Sequence, residues 1–267
     1  IILTILTVVV IIPYIWIIAN SLQESSLIGK NTGLIGSFIP TKFTFASYIE
    51  VGVRMNLVRV MFNTIFVAVA VTLSALILNS MAGYAFARLK FKGKNTLFAL
   101  LLLTYIVPFE VLVIPLYHTV RQLNMVGTYW ALIVPAAASA YGIFFFRQFF
   151  EEIPNSLEEA AIVDGANKFK IYTSIMLPLV KAPMVTLGII TFLGQWDNFL
   201  WAYTVVNSEK MNMLQVALVY VITGQMFRTN WGVMFAGVVV SALPMIILFI
   251  ILQKYYVENI AFSGIKG

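Results

Sequence analysis

The chain has 267 residues, of which 61% are hydrophobic and only 10% are charged, and its formal net charge is +6. Soluble domains carry about 25% charged residues, so this chain has too little polar surface to cover a water-soluble globule, and lipid is its expected solvent. It has no cysteine and a single histidine, His118, which excludes disulfides, thiol catalysis and histidine-rich metal sites. Basic membrane proteins usually carry their excess Lys and Arg in cytoplasmic loops, so we do not expect nucleic acid as a partner.

Six runs of the chain are long and apolar enough to cross a membrane as helices, which takes about 20 residues each. Their apolar character is continuous, whereas a membrane β-strand alternates apolar and polar residues. We therefore predict an all-α membrane protein that forms one transmembrane domain over residues 1–267. In chain order, the predicted helices cover residues 1–20, 60–87, 96–117, 129–149, 183–206 and 231–253.

The Lys and Arg residues of the loops predict which side of the membrane each loop faces, because cytoplasmic loops carry an excess of them. The segment RLKFKGK (88–94) holds four basic residues and no acid, and the polar segment 150–182 holds three further lysines. Both segments are predicted to be cytoplasmic, as is the C-terminus. Six spans then place the N-terminus in the cytoplasm as well, and the long loop 21–58 outside.

Residues 151–180, EEIPNSLEEAAIVDGANKFKIYTSIMLPLV, form a polar island between long apolar segments. Ser156 followed by Glu159 has the spacing of a capping box, in which each side chain bonds to the backbone N–H of the other residue. A short helix is predicted from Leu157 to Asp164. Gly165 then suits the left-handed position that ends a helix.

A second short helix is predicted from Ala166 to about Met176, because Pro178 disfavours helical backbone at Leu177. On the first helix, four residues share one face at helical spacing, and two acidic residues edge that face. The face either lies on lipid headgroups or docks into a groove of a partner protein. Its acidic edges favour the partner, because helices that lie on membranes favour Lys and Arg. The face comprises Leu157, Ala160, Ala161 and Asp164, and its edges are Glu158 and Glu159.

Polar residues inside a membrane span are costly, so each indicates a packing contact or a function. Glu110, between Pro108 and Pro115, lies either at a kink that lines a cavity or among the headgroups. Asn63 and Asn79 are predicted to be packing contacts. A polar and aromatic band in the fifth predicted helix either lines a substrate path or joins helices by packing. This band comprises Gln195, Trp196, Asp197, Asn198 and Trp201.

The stretch EAAIVDGANKFKIYTSIMLP (159–178) resembles the EAA loop of the permease subunits of ATP-binding-cassette importers, with Glu-Ala-Ala, then Gly, then Ile-x-Leu-Pro. Further stretches are similar to the carbohydrate-uptake branch of that family, and within it to the G-type subunits of maltose transporters. They are NTIFVAVAVT and AGYAFARLKFKGK within 63–94, GQWDNFLW (194–201) and the terminal YYVENIAFSGIKG. The resemblance therefore extends over essentially the whole chain.

The resemblance implies a type I importer permease fold in the bacterial inner membrane and a set of partner proteins. The partners would be a second, homologous permease subunit, two cytoplasmic ATP-binding subunits and an extracytoplasmic sugar-binding protein. ATP and Mg²⁺ would be bound by the ATPase partner, so that no cofactor is expected in this chain. The chain would form half of the path for a sugar or oligosaccharide.

The resemblance also implies roles for individual residues. Residues 150–182 would be the coupling loop, with Glu159 paired to a basic residue of the ATPase and Gly165 allowing a bend. The segment around Ser263–Gly267 would reach between the ATPase subunits. The coupling residues would be Ser156, Glu158, Glu159, Ala160, Ala161, Asp164, Gly165, Leu177 and Pro178, and the tail residues Ser263, Gly264, Lys266 and Gly267.

Two other classes of protein remain as alternatives. An ion-coupled secondary transporter that works alone usually needs intramembrane carboxylates and repeated hydropathy, for which Glu110 and Asp197 are meagre. An intramembrane enzyme would need a nucleophile with its base, a metal cluster or a phosphate loop. The sequence contains no GxxxxGK[ST] motif, so ATP hydrolysis is expected in another chain.

Overall fold

A computed structural model of the chain describes residues 2–30, 38–223 and 230–263. In these ranges the chain is helical, and β structure is limited to an isolated antiparallel bridge between Gln23 and Phe43. The chain packs as two compact units. One consists of Ile1–Thr64 and Asn212–Ile251, and the other of Ile65–Met211 and Leu252–Gly267.

Fourteen α-helical segments follow one another in the described part of the chain. Short 3₁₀ turns occur at Ser25–Leu27, Val134–Ala136 and Glu209–Met211, and a π-helical turn occurs at Tyr172–Met176. The helices are α1 (Ile2–Ser21), α2 (Ala46–Arg54), α3 (Leu57–Arg88), α4 (Lys94–Ile106), α5 (Phe109–Gln122), α6 (Tyr129–Ile133), α7 (Ala140–Glu152), α8 (Asn155–Val163), α9 (Lys168–Ile171), α10 (Leu177–Leu179), α11 (Lys181–Trp196), α12 (Leu200–Val205), α13 (Leu214–Thr223) and α14 (Trp231–Ser263).

The membrane spans are of two kinds. By length and composition, α1, α3 and the part of α14 as far as Ile251 can each cross a membrane as one helix. Three further candidates are bent pairs, each of which is a broken span or a re-entrant loop: α4 with α5, α6 with α7, and α9–α10 with α11, which meet at 106°, 40° and 79°. If each bent pair is one span, the described residues hold up to six, the predicted number. The all-α membrane fold is therefore confirmed, but three of the six spans are not the continuous helices that the sequence predicted.

The third predicted helix, 96–117, is broken in its middle. Val107 takes extended backbone (φ −76°, ψ 120°), and Pro108 then occupies the N-cap position of α5. The physical cause is Pro108, because a proline ring clashes with helical backbone at the preceding residue and provides no N–H to the preceding turn. Pro115, by contrast, lies inside α5.

The fifth predicted helix, 183–206, is also wrong as a single element. Helix α11 ends at Trp196, the helix is interrupted at Asp197–Phe199, and α12 begins at Leu200. Asp197 lies at the C-cap of α11, where its backbone N–H donates to Leu193 O at 3.1 Å. The polar band therefore lies on a break between two helices.

The first unit is held together by ring packing and by buried polar contacts. The rings of Trp16 and Phe235 meet edge to face with their centroids 5.1 Å apart. Asn63 Nδ2 donates to the carbonyl of Asn212 at 3.1 Å, and the Thr64 hydroxyl accepts from the backbone N–H of Leu214 at 2.9 Å. Asn63 is thus a packing contact, as predicted.

An ion pair on the loop of the first unit is exposed to solvent. Lys42 Nζ lies 2.6 Å from Glu24 Oε2, and Ser26 donates to the other carboxylate oxygen. The hydrogen bond from Lys42, followed by that from Ser26, lowers the pKa of Glu24 below its usual value. Because both partners are exposed, this pair contributes little to stability.

In the second unit, Asn79 of α3 supports the break in the fourth span. Its Oδ1 accepts from the backbone N–H of Ser139 at 2.9 Å, directly before α7 begins. Ser139 in turn caps α7, since its hydroxyl accepts from the N–H of Gly142 at 3.0 Å. Asn79 is therefore also a packing contact, as the sequence predicted.

Candidate functional site

The polar island folds as a helix–turn–helix that we call the coupling segment, residues 155–179. Its first helix, α8, begins one residue before Ser156, because Pro154 occupies the N-cap position and Ile153 is extended. The predicted capping box of Ser156 and Glu159 is therefore wrong. Glu159 is the fifth residue of α8, so it gains less from the helix dipole than a first-turn position would give.

The turn after α8 is the one that the sequence predicted. Gly165 has a φ of +78° and follows Asp164, the C-cap of the helix. The N–H of Gly165 donates to Ile162 O at 3.0 Å, and that of Ala166 donates to Ala161 O at 2.9 Å. These two bonds form a Schellman motif, in which a left-handed residue closes the last turn of a helix.

The second half of the coupling segment continues further than predicted. Asn167 caps it by accepting from the N–H of Lys170 at 2.8 Å, and the helical path then runs through the π turn into α10. Leu177 is helical (φ −62°, ψ −42°), so the prediction that Pro178 prevents helix there is wrong. Pro178 lies in the first turn of α10, where a missing N–H costs no intrahelical bond.

The predicted face of α8 is divided between the inside and the outside of the fold. Ala161 is buried among Tyr84, Phe150 and Ile171, whereas Leu157, Ala160 and Asp164 are exposed. The four residues therefore do not form one continuous docking ridge. Apolar residues occur on several sides of α8, so the sequence did not show which side faces the core.

The outer surface of the coupling segment carries apolar side chains on both sides of the Gly165 turn. Val163, the last residue of α8, is 87% exposed, and Phe169 of α9 is 66% exposed. Ile162 and Leu157 of α8 are about half exposed. The sequence analysis missed Val163 and Phe169, although an apolar residue within a polar island that fits neither predicted face is a usable signal.

Glu158 belongs to the inside of the fold and not to the edge of a docking face. It is 8% exposed, and its Oε1 lies 2.7 Å from Nζ of Lys168. A nearly buried carboxylate needs such a partner, because desolvation of a lone charge is costly. The prediction that Glu158 flanks the docking face is therefore wrong.

Arg88, the last residue of α3, joins the coupling segment to two membrane helices. Its guanidinium donates to the backbone carbonyls of Phe150 and Ile153, at the end of α7, and to Oδ1 of Asn155, at the start of α8. The sequence analysis used Arg88 only to orient the chain in the membrane. No local pattern indicates these contacts, because Arg88 and its acceptors are more than sixty residues apart in the sequence.

The inner side of the coupling segment packs on aromatic rings of α3 and α7. Tyr84 of α3 packs against Phe150 of α7 and Tyr172 of the π turn, with ring centroids 5.7 Å and 5.3 Å apart. The hydroxyls of Tyr172 and Ser80 lie 2.8 Å apart. The segment is therefore packed on α3 and α7 and is not a loosely attached loop.

The polar band splits into packed tryptophans and less buried polar residues. Trp196 and Trp201 are each 2% exposed, and the indole N–H of Trp201 donates to Ala131 O at 2.9 Å. Asn198 Nδ2 donates to Gln195 Oε1 at 3.3 Å, and both of these side chains are half-buried. In this conformation the tryptophans are packing residues, and the polar side chains remain the candidates for a substrate path.

The two remaining predicted sites are Glu110 and the C-terminal tail. Glu110 lies in the first turn of α5, beside the break at Pro108, and its side chain is exposed. Of the predicted tail residues, Ser263 is the last residue of α14. Gly264, Lys266 and Gly267 lie outside the described residues.

Long apolar helices, some of them bent or broken, and a packed polar helix–turn–helix define a multi-pass membrane protein. The family described as "Binding-protein-dependent transport system inner membrane component" matches residues 79–260. The chain belongs to this family. It is a permease subunit of an ABC importer of the inner membrane, and thus a transporter component and not an enzyme in itself. This membership removes the alternative of a secondary transporter that works alone.

The chain is similar to two groups of named permeases. It is 33% identical over 260 residues to the arabinooligosaccharides transport system permease protein AraQ of Halalkalibacterium halodurans, a match that covers 97% of this chain and 92% of that protein. It is 29% identical over 250 residues to the sn-glycerol-3-phosphate transport system permease protein UgpE of Brucella abortus, covering 92% of this chain and 89% of that protein.

A solved structure shares the fold. It is the crystal structure of a bacterial ABC transporter involved in the import of the acidic polysaccharide alginate. One of its chains aligns with a TM-score of 0.85 at 24% identity, covering 96% of this chain and 94% of that chain. At this identity the likeness shows the fold alone.

Proposed function

We propose that this permease imports a sugar or oligosaccharide and that its coupling segment receives the force of ATP hydrolysis from a separate cytoplasmic ATPase. The observation that carries the proposal is the two-sided character of the segment. Val163 and Phe169 present apolar surface outward, while Ala161 and Ile171 pack the same helices against the fold behind them. A segment that packs on the membrane helices with one side and exposes the other side to a partner can transmit the partner's movement to those helices.

The outer surface suits a protein groove better than lipid headgroups. Val163 lies on α8 with the exposed carboxylates of Glu159 and Asp164, which anionic lipid would repel, whereas Phe169 lies between the exposed Lys168 and Lys170. A groove with an apolar floor and basic rims complements both features. The proposed contacts are therefore Val163, Phe169 and Ala160 for packing and Glu159 for an ion pair, with ATP and Mg²⁺ bound by the ATPase.

The complete transporter would contain the partners that the resemblance implies. These are a second permease subunit, two ATPase subunits and an external binding protein, with both termini of this chain in the cytoplasm. The proposal of a sugar rests on the relatives, one of which is named for arabinooligosaccharides. Within this chain, Gln195, Asp197 and Asn198 at the break between α11 and α12, with Glu110, are the proposed path residues.

Purification through an affinity tag on this chain tests the proposal. We expect a homologous permease subunit and an ATPase to co-purify, and ATP hydrolysis in proteoliposomes to rise when the binding protein carries its sugar. Thermal shifts of that binding protein with arabinotriose, maltotriose and sn-glycerol 3-phosphate would identify the class of substrate. A complex without any ATPase, or a response to sn-glycerol 3-phosphate alone, would overturn the corresponding part.

A variant of the docking surface gives a sharper test. Val163→Asp places a charge in the proposed apolar contact, and we expect loss of the ATPase from the purified complex. Val163→Ala is the matched control, because it keeps the apolar character of this exposed position. Retention of the ATPase by both variants would contradict the proposed docking surface.

A further inference from the structure

We propose that Arg88 and the Glu158–Lys168 ion pair are positioning residues that make α3, α7 and the coupling segment move as one body. This inference rests on the proposed function of the segment and adds a mechanism to it. None of the three side chains needs to touch the ATPase. These side chains determine whether a displacement of the outer surface by the ATPase moves the membrane helices or only bends the coupling segment.

Arg88 ties three helices together with one side chain. Its carrier, α3, is the longest membrane helix whose whole length is a single span, Leu57–Arg88. One terminal nitrogen of the guanidinium donates to Asn155 Oδ1, and the other donates to the carbonyls of Phe150 and Ile153. The last carbonyls of a helix have no intrahelical donor and carry partial negative charge, so a cation there is favourable. Displacement of the start of α8 must therefore displace the end of α3.

The Glu158–Lys168 pair bridges the turn between the two helical halves of the segment. Glu158 lies on α8, and Lys168 is the first residue of α9, on the other side of the Gly165 turn. The turn consists of few residues with exposed backbone, and such positions absorb changes of φ and ψ most readily. A 2.7 Å ion pair across it fixes the angle between the two helices. The carboxylate side chain is 11% exposed and that of Lys168 is 53% exposed, so solvent reaches this pair from the lysine side only.

Packing completes the connection on the inner side. Ala161 of α8 and Ile171 of α9 belong to the same buried cluster as Tyr84 of α3 and Phe150 of α7. The cluster provides cohesion, but apolar contacts have no fixed direction. The directional hydrogen bonds of Arg88 and of the ion pair define the orientation of the segment on that cluster.

Charge reversal tests the ion pair in the complete transporter complex. We expect Lys168→Glu and Glu158→Lys each to lower the stimulation of ATP hydrolysis by the sugar-loaded binding protein about tenfold, within the range over which residues along a coupling route act. The double variant Glu158→Lys with Lys168→Glu restores the pair with opposite polarity and should recover most of the stimulation. Lys170→Glu makes the same charge change at an exposed position two residues away and is the matched control.

The ratio of sugar transported to ATP hydrolysed distinguishes positioning from plain stability. A variant that is only less stable yields less complex, but each assembled complex keeps its ratio. We expect the single variants to lower the ratio, and Arg88→Lys to do so as well, because lysine keeps the charge but cannot reach three acceptors with a planar fork. The double variant should restore the ratio.

The outcomes separate this inference from the proposed function beneath it. If Val163→Asp loses the ATPase while Lys168→Glu and Arg88→Lys keep the unmodified transport ratio, the segment docks but this network does not position it, and the inference is wrong. If the double variant is no better than the single variants, Glu158 acts outside the pair, which also contradicts the inference. If Val163→Asp itself has no effect, the proposed function fails first.

Discussion

Lys168 Nζ lies 2.7 Å from Glu158 Oε1, although the two residues belong to different helices on opposite sides of the left-handed turn at Gly165. This contact turns one of the two adjacent glutamates inward and leaves Glu159 as the outward one. Glu158 therefore has an internal structural role, whereas Glu159 faces outward, where a partner can contact it.

Gly165→Val should weaken coupling through backbone strain. Gly165 has a φ of +78°, and no described atom lies within 4 Å of the place that a Cβ would take. The cost is therefore conformational, roughly 1–2 kcal/mol for a side chain in the left-handed region. We expect intact assembly with the second permease subunit but reduced sugar-stimulated ATP hydrolysis.

Gly194→Ala is the control for this change. Gly194 also has open space around its Cβ position among the described residues, but it lies in α11 with ordinary helical backbone. The substitution should leave hydrolysis and assembly unchanged. Equal stimulation in the Gly165→Val and unmodified complexes would show that the left-handed turn is dispensable for coupling.

Gly142→Ala should destabilise the second unit, and Asn79→Ala should relieve the effect. A Cβ at Gly142 would lie 2.3 Å from Asn79 Nδ2, so the Asn79 side chain would have to move and release the N–H of Ser139. We expect the melting temperature of the purified complex to fall with either single substitution and to fall less than additively with both. Strictly additive losses would contradict this contact. Gly52→Ala, at an open position of α2, is the control.

Trp201→Phe should lower stability without changing substrate preference. The indole N–H of Trp201 is buried and donates to Ala131 O, and loss of the donor leaves a buried carbonyl unpaired at a cost of about 1–3 kcal/mol. Thermal unfolding of the complex measures this loss. Trp130→Phe, at a 63% exposed position of α6, should have little effect. A changed order of substrates in the Trp201→Phe complex would instead place Trp201 in the path.

Asn198→Ala should reduce transport while the complex assembles with its basal ATP hydrolysis intact. Asn198 is half-buried at the break between α11 and α12, where its amide bonds to Gln195. Planar amides at such a position can exchange this bond for one to a sugar hydroxyl. The KM for transport of the identified sugar measures the effect. Asn95→Ala, at an exposed position of α4, is the control, and failure of the Asn198→Ala complex to assemble would assign the band to packing.

Sequence reasoning succeeded where a feature depends on local chemistry. Gly165 is left-handed because glycine adopts that conformation without strain. The side chains of Asn63 and Asn79 each hydrogen-bond to a backbone group, because an unpaired amide in a membrane span is costly. The spacing of Ser156 and Glu159 failed as a signal because Pro154 moved the start of the helix. The capping-box spacing and Pro154 were both visible in the sequence, but the sequence did not show that Pro154 would decide where the helix begins.

Features that depend on distant contacts could not be predicted. The inward direction of Glu158 is set by Lys168 and by the packing of Ala161, and the role of Arg88 is set by carbonyls of another helix. The helical path through Leu177 depends on the π turn before it, which resets the hydrogen-bonding register ahead of Pro178. Tertiary context decided each of these three points.

The accessibility of position 163 shows whether the ATPase covers the outer surface of the coupling segment. Because the chain contains no cysteine, a Val163→Cys variant carries one thiol, and a maleimide reagent reports on that position alone in this subunit. We expect rapid labelling of the subunit without its ATPase, because the Val163 side chain is 87% exposed, and strong protection in the assembled transporter. Equal labelling rates in the two preparations, with the ATPase present and active, would contradict the claim that this surface receives the ATPase.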